Sequence, residues 1–218
     1  MSKPKLVIFD MDGLILDSEP IITDYIKKAA TELGKPLKDE LLQKLIGQNI
    51  NSARIIVKKE MGDEFPYDEI HTNGFKLFDE HVNKYGVDLK PGLIEILDGL
   101  EEMNIKKCVA TSTEAYRAIH ELEVVGVYHR FETLVGGDMV KKSKPNPEIF
   151  LKAAASCNVA PGDCIVLEDS PAGTKGGYDA GMRVIVVPDM VEPPEKTINQ
   201  AFAICKDLYE VLEIIKRL

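Results

Sequence analysis

Leu6-Val-Ile-Phe-Asp10-Met-Asp12-Gly13 is the stretch whose reading decides the fold. Four apolar residues, two of them β-branched, run straight into two aspartates spaced i, i+2, and a glycine closes the run. A short continuous apolar run of this kind predicts a strand buried on both faces, as in a parallel sheet. A buried strand that ends in two carboxylates has to make them useful, because unpaired charge away from water is costly. Side chains two apart on an extended chain point the same way, so Asp10 and Asp12 are expected to face one reacting centre. Gly13 then lets the backbone turn where a Cβ would clash. In open parallel sheets, sites lie beyond the carboxyl ends of the strands, and this is the first such end in the chain.

Working outward, the next residues predict a helix. Ser18 or Asp17 is a suitable N-cap, Glu19 and Pro20 fill the first turn, and Ile22, Ile26, Ala29, Ala30 and Leu33 recur at helical spacing up to Gly34. Helical stripes continue through Leu41, Leu42, Leu45 and Ile46, then Ala53, Ile55, Ile56 and Val57, then Ile70, Phe75, Leu77, Phe78 and Val82. No strand-like run interrupts them. Residues 17–88 therefore read as a helical insertion, with 1–16 and 89–218 forming the main domain. From Pro91-Gly92 onward strands and helices alternate: strands at 107–111, 133–136, 164–169 and 183–187, and helices at 93–103, 116–125, 147–157, 171–180 and 208–216. Repeated units of this length predict an α/β fold, a parallel sheet with helices on both faces.

Composition narrows the function. The 218 residues are 44% hydrophobic and carry a net charge of −9, which gives no support to nucleic-acid binding or to attraction by anionic membranes. Cys108, Cys157, Cys164 and Cys205 form no C-x-x-C pair and sit among apolar residues, so buried reduced thiols and a cytoplasmic setting are expected. His71, His81, His120 and His129 lack zinc-site spacing. The N-terminus runs directly into the first strand, without the pattern of a signal peptide, and no apolar run approaches the ~20 residues of a membrane span.

If the sheet is parallel, Thr111-Ser112-Thr113 and Glu168-Asp169-Ser170 end their strands at the same rim as Asp10, with Lys141-Lys-Ser-Lys144-Pro145 between them. Clustered acids repel unless a hard cation lies among them, and a few carboxylates plus water suit Mg²⁺. Metal, lysine, hydroxyls and free backbone N–H groups together suit a phosphoryl group. Plainer readings compete: Asp12 as a cap of the Gly13 turn, Asp169 as the N-cap of the helix after it, Asp17 as a helix cap, and the lysines as a solvated run.

DMDG, Thr111, Lys144-Pro and Glu168-Asp169, in that order and spacing, resemble the four motifs of the haloacid dehalogenase-like phosphotransferases. DMDGLILDSE, SKPNPEIF and VLEDSPAG resemble most the subgroup that holds β-phosphoglucomutase and many sugar- or nucleotide-phosphate phosphatases. The resemblance implies a Rossmann-like core with a small all-helical cap domain at 17–88. It implies Asp10 as the nucleophile that forms an aspartyl-phosphate, and Asp12 as general acid and then base. Thr111 and Ser112 would bind phosphate, and Lys144 would neutralise charge between Asp10 and the phosphate. Asp10, Asp12 through its carbonyl, Asp169 and Glu168 would hold Mg²⁺, Glu168 directly or from behind. Gly47, Gln48 and Asn49 are the implied substrate-facing residues of the cap.

Two activities fit that frame: a phosphatase acting on a small phosphorylated metabolite (a sugar, polyol or nucleoside monophosphate) and a phosphomutase of the β-phosphoglucomutase type. Where the mutase carries a cap histidine and a cap arginine, this chain has Ile22 and Ile50, which favours the phosphatase. A signalling receiver domain also takes phosphate on aspartate, but its length and lack of an insertion do not match. A catalytically dead scaffold would be expected to have lost an acid, and none is missing. The partner expected is a small phosphate ester, and the protein is expected to act as a monomer.

Overall fold

The computed structural model describes residues 2–46, 50–190 and 192–218. Six strands form one sheet: β1 (Leu6–Phe9), β2 (Lys106–Ala110), β3 (Thr133–Val135), β4 (Cys164–Glu168), β5 (Arg183–Val186) and β6 (Ala203–Ile204). Their order is β3-β2-β1-β4-β5-β6, and every neighbouring pair is parallel. The chain thus starts in the middle and winds outward in both directions. That places β1 between β2 and β4, with Phe9 opposite Val109 on one side and Leu167 on the other.

The central position explains the sequence of β1. All four of its residues are fully buried, as a strand covered on both faces requires. Leu6 and Ile8 pack with Val166, Val184, Ala110 and Val135 under Phe150 and Ala154. Phe9, of opposite parity, meets Phe131 edge to face at 5.6 Å. The connecting helices are α1 (Glu19–Glu32), α2 (Asp39–Leu45), α3 (Ile50–Met61), α4 (Tyr67–Tyr85), α5 (Leu93–Glu102), α6 (Ala115–Val124), α7 (Glu148–Ser156), α8 (Pro171–Asp179), α9 (Glu195–Gln200) and α10 (Leu208–Lys216). Of these, α7 packs on β1, β2 and β3, α8 on β4 and β5, and α5 on β2 and α10. All four cysteines are buried free thiols, with no disulfide among them.

The chain separates into two compact units, Met1–Leu16 with Asp88–Leu218, and Asp17–Val87. The first holds the sheet and α5 to α10. The second contains α1 to α4 and, among the described residues, no strand. Its core is built from Ile26, Ala29, Ala30, Leu41, Leu42, Val57 and Ile70. Ser18 occupies the N-cap position of α1 but makes no capping hydrogen bond. Helix α9 and strand β6 are among the short elements that the sequence does not announce. Helix α9 lacks an apolar stripe, and β6 is too short to show a period.

Candidate active site

The rim of the sheet unit assembles from four strand ends. The Asp10 N–H donates to the Leu167 carbonyl at 3.0 Å, so the ladder carries on one residue past Phe9 and fixes Asp10 at the carboxyl edge. The backbone then folds into a tight loop in which the Ile15 and Leu16 N–H groups both donate to the Met11 carbonyl. Gly13 makes the turn with φ +77°, and a Cβ there would lie 2.6 Å from Asp169 Oδ2. Conformation and space both demand glycine at this point.

Lys144 arrives from the loop between β3 and α7, next to a cis Lys144–Pro145 bond. Its ammonium donates to Asp10 Oδ1 and to Glu168 Oε1, each at 2.6 Å. All three side chains are almost wholly withdrawn from water. Burial opposes the Lys144 charge, yet the two carboxylates outweigh it and hold the ammonium above the ordinary lysine range. For Asp10 the balance runs the other way. Burial, then the Glu168 charge, push its carboxyl up to about 7 against the pull of Lys144. Two acids share one cation here, so the group is short of positive charge.

Glu168 is held on every side. Its Oε2 accepts from the Ser170 N–H at 3.0 Å and the Ser170 hydroxyl at 2.8 Å. Ser170, not Asp169, caps α8, its hydroxyl accepting from the Gly173 N–H. Asp169 is left to the rim, where Asp10, Glu168 and Asp169 each present an oxygen within 4.8 Å of the others. An all-oxygen, anionic donor set with a charge deficit fits Mg²⁺. The Asp12 carboxylate lies outside this trio and accepts instead from the Thr113 hydroxyl at 2.8 Å. Thr111 follows β2 directly, with its N–H on the Val135 carbonyl, and its hydroxyl accepts from the Thr113 N–H, leaving its own proton to donate. Ser112 beside it is exposed. Lys141 and Lys142 are also exposed, and their backbone N–H groups donate to the Glu148 carboxylate.

Asp10, Asp12, Thr111, Ser112, Glu168 and Asp169 therefore come from the strand ends of one unit, and Lys144 from the loop after β3 in the same unit. Gly47, Gln48 and Asn49 lie outside the described residues. Sequence reading passed over Thr113, Ser170, and the ion pair of Lys90 with Asp189, 2.6 Å between Nζ and Oδ1. Thr113 stood in a hydroxyl run from which only its two neighbours were chosen. Asp189 lies just past the end of β5.

The family model described as haloacid dehalogenase-like hydrolase matches residues 7–187. A phosphorylated carbohydrates phosphatase of Thermotoga maritima is 31% identical over 183 residues, spanning 82% of each chain. A β-phosphoglucomutase of Bacillus subtilis is 30% identical over 194 residues, 84% of this chain and 83% of the enzyme. Among solved structures, β-phosphoglucomutase from Clostridium difficile superimposes with a TM-score of 0.77 at 25% identity, covering 98% of this chain and 96% of that one.

Proposed function

The chain belongs to the haloacid dehalogenase-like hydrolases, in the subgroup around β-phosphoglucomutase and its phosphatase relatives, and from that premise we propose that it is a Mg²⁺-dependent phosphatase of small phosphorylated metabolites. The observation that carries the reading is Asp10, held at the strand end by Lys144 with Asp12 fixed two residues on by Thr113. One carboxylate is placed to attack and a second to move a proton.

In this mechanism an Asp10 carboxylate oxygen attacks phosphorus in line with the ester oxygen. The new P–O bond forms an aspartyl-phosphate while the bond to the leaving oxygen breaks, and that oxygen takes a proton from Asp12. Asp12, now a carboxylate, accepts a proton from the water that attacks the same phosphorus. Asp10 departs as carboxylate and inorganic phosphate is released. Throughout, Lys144 offsets the charge between Asp10 and the phosphoryl oxygens, and the Thr111 hydroxyl and the Ser112 N–H hold those oxygens in line. A Mg²⁺ ion held by Asp10, the Asp12 carbonyl and Asp169 would supply charge neutralisation between nucleophile and phosphate. Glu168, with both oxygens engaged by Lys144 and Ser170, supports that set from behind.

Hydrolysis is favoured over phosphoryl return to a second sugar hydroxyl by Ile22. At the position where the mutase has a histidine, this chain has an apolar side chain packed against the helical core. The helical unit is the part to which the family reading assigns substrate choice. A screen for Mg²⁺-dependent phosphate release over sugar, polyol and nucleoside monophosphates tests the proposal. Release from one ester class, abolished in Asp10→Asn, is expected. Conversion of β-glucose 1-phosphate to glucose 6-phosphate without free phosphate would make the chain a mutase, and unchanged turnover in Asp10→Asn would sink the mechanism.

A further inference from the structure

Asp189 stands apart from the machinery described so far. It follows β5, and its side chain is 9% exposed. Lys90 fixes Oδ1 at 2.6 Å, and Lys90 is itself anchored by its N–H on the Ile15 carbonyl. Oδ2 is buried and, among the described residues, has no hydrogen-bond partner. A buried acceptor left so is costly unless something donates to it.

What Oδ2 faces identifies the donor. It lies 3.2 Å from the point a Gly13 Cβ would occupy, and Asp169 Oδ2 lies 2.6 Å from that same point. Two carboxylate oxygens thus converge on the space that the missing side chain leaves open. Neither can donate to the other. Asp189 is also not among the three acids whose oxygens gather within 4.8 Å, so it is too far out to be a direct ligand beside them. A molecule with protons to give to Oδ2, seated next to Asp169, satisfies both constraints. Water bound to a divalent cation is such a molecule, and its polarised O–H makes the hydrogen bond strong.

The geometry points to Asp189 as a positioning residue for the cation: Lys90 holds Oδ1 so that Oδ2 accepts a proton of a water bound to the ion beside Asp169. The inference rests on the metal reading above and adds an outer anchor that follows β5 to a site otherwise built at the ends of β1, β2 and β4 and on the loop after β3. It also gives the Gly13 gap a purpose beyond the turn, since a side chain there would fill the water's place.

The test is Mn²⁺ binding to the full chain, followed through the loss of the free-ion EPR signal, with thermal melting of the metal-free proteins alongside. Asp189→Asn keeps the shape and can turn its carbonyl to Lys90, which puts an NH₂ where an acceptor is needed. Binding about 10–100-fold weaker is expected, with the metal-free melting temperature essentially unchanged. The double variant Lys90→Ala, Asp189→Ala removes both charges together, leaves no unpaired ion, and should show the same weakening. Wild-type affinity in either variant overturns the role, as does a loss of stability without a loss of affinity. If the unmodified chain binds no Mn²⁺, the metal reading of the whole site fails. If it binds and Asp10→Asn does not, while both Asp189 variants bind normally, only the present inference fails.

Discussion

Gly173 leaves Glu168 no neighbour to yield: a Cβ on Gly173 would sit 1.7 Å from Glu168 Oε1. The first turn of α8 is pressed against the carboxylate that positions Lys144, and its N–H is already committed to Ser170.

A glycine inside a helix is ordinarily a liability, and replacing it with alanine gains up to ~1 kcal/mol. Here the sign should reverse. Gly173→Ala is expected to cost about 1–3 kcal/mol, the usual range for overpacking, and to displace Glu168 from Lys144. Thermal denaturation checks the stability and phosphate release checks the site. A melting temperature above that of the parent chain would contradict the close approach.

Thr113 donates to Asp12 at 2.8 Å without belonging to any of the recognised motif positions. Thr113→Val preserves shape and removes the donor. Proton transfer by a positioned group contributes about 10²–10⁴-fold, and losing its orientation should cost a substantial part of that in kcat with little change in KM. Thr113→Ser should restore the rate. A Val variant at full speed would mean that Asp12 needs no such support.

Among the described residues, Lys144 is the one cation in contact with two buried acids. Lys144→Met strands both, and breaking such a group by removing one partner costs about 3–5 kcal/mol. Added Mg²⁺ should recover part of the stability by returning positive charge, though not the activity. Chemical denaturation with and without Mg²⁺ measures both effects. A variant as stable as the parent would show that the acids are not charged together.

Asp10, pushed up to about 7 in the metal-free protein, also sets a pH dependence. An unfolded chain releases this proton near the ordinary value of ~3.9, so between there and about 7 the folded state holds a proton that the unfolded state lacks. The contribution to metal-free stability is therefore largest in acid and is lost as pH rises through about 7. Cation and proton compete for the same carboxylate. The rise in melting temperature on adding Mg²⁺ should thus be larger near pH 8 than near pH 6. Equal shifts at both would remove Asp10 from the set of groups the cation titrates.

Much of this arrangement was legible in the chain. Buried parallel strands advertise themselves by unbroken apolar runs, and β1 and β4 each end in acids, so the strand ends that bear chemistry could be read from sequence. What could not be read depended on distances across the fold. Asp169 was the cap candidate for α8 that the sequence offered, and the cap is instead Ser170, whose hydroxyl accepts from the Gly173 N–H. Whether Glu168 faces a cation or a lysine is decided by where the loop after β3 delivers Lys144, which lies far away in sequence. Asp189 follows a strand that was recognised, but its bearing on the site rests on its closeness to Gly13, and no spacing along the chain encodes that. Elements α9 and β6 escaped because six and two residues are too few to display a period.

Leu16 and Leu89 form an antiparallel bridge, and the Lys90 N–H reaches back to the Ile15 carbonyl at 2.9 Å. In effect the two are the stem of a hairpin whose loop is the whole of Asp17–Val87. Entry and exit are adjacent, so the stem closes in the same way whatever length of chain lies between them. Each doubling of such a loop adds only ~0.6 kcal/mol of closure entropy. The intervening segment can therefore be exchanged for one of different size, or cut back to a tight turn, while the strand ends that carry the acids keep their places. The acid-bearing strand ends and the helical excursion are separable cassettes in this chain, free to diversify at different rates.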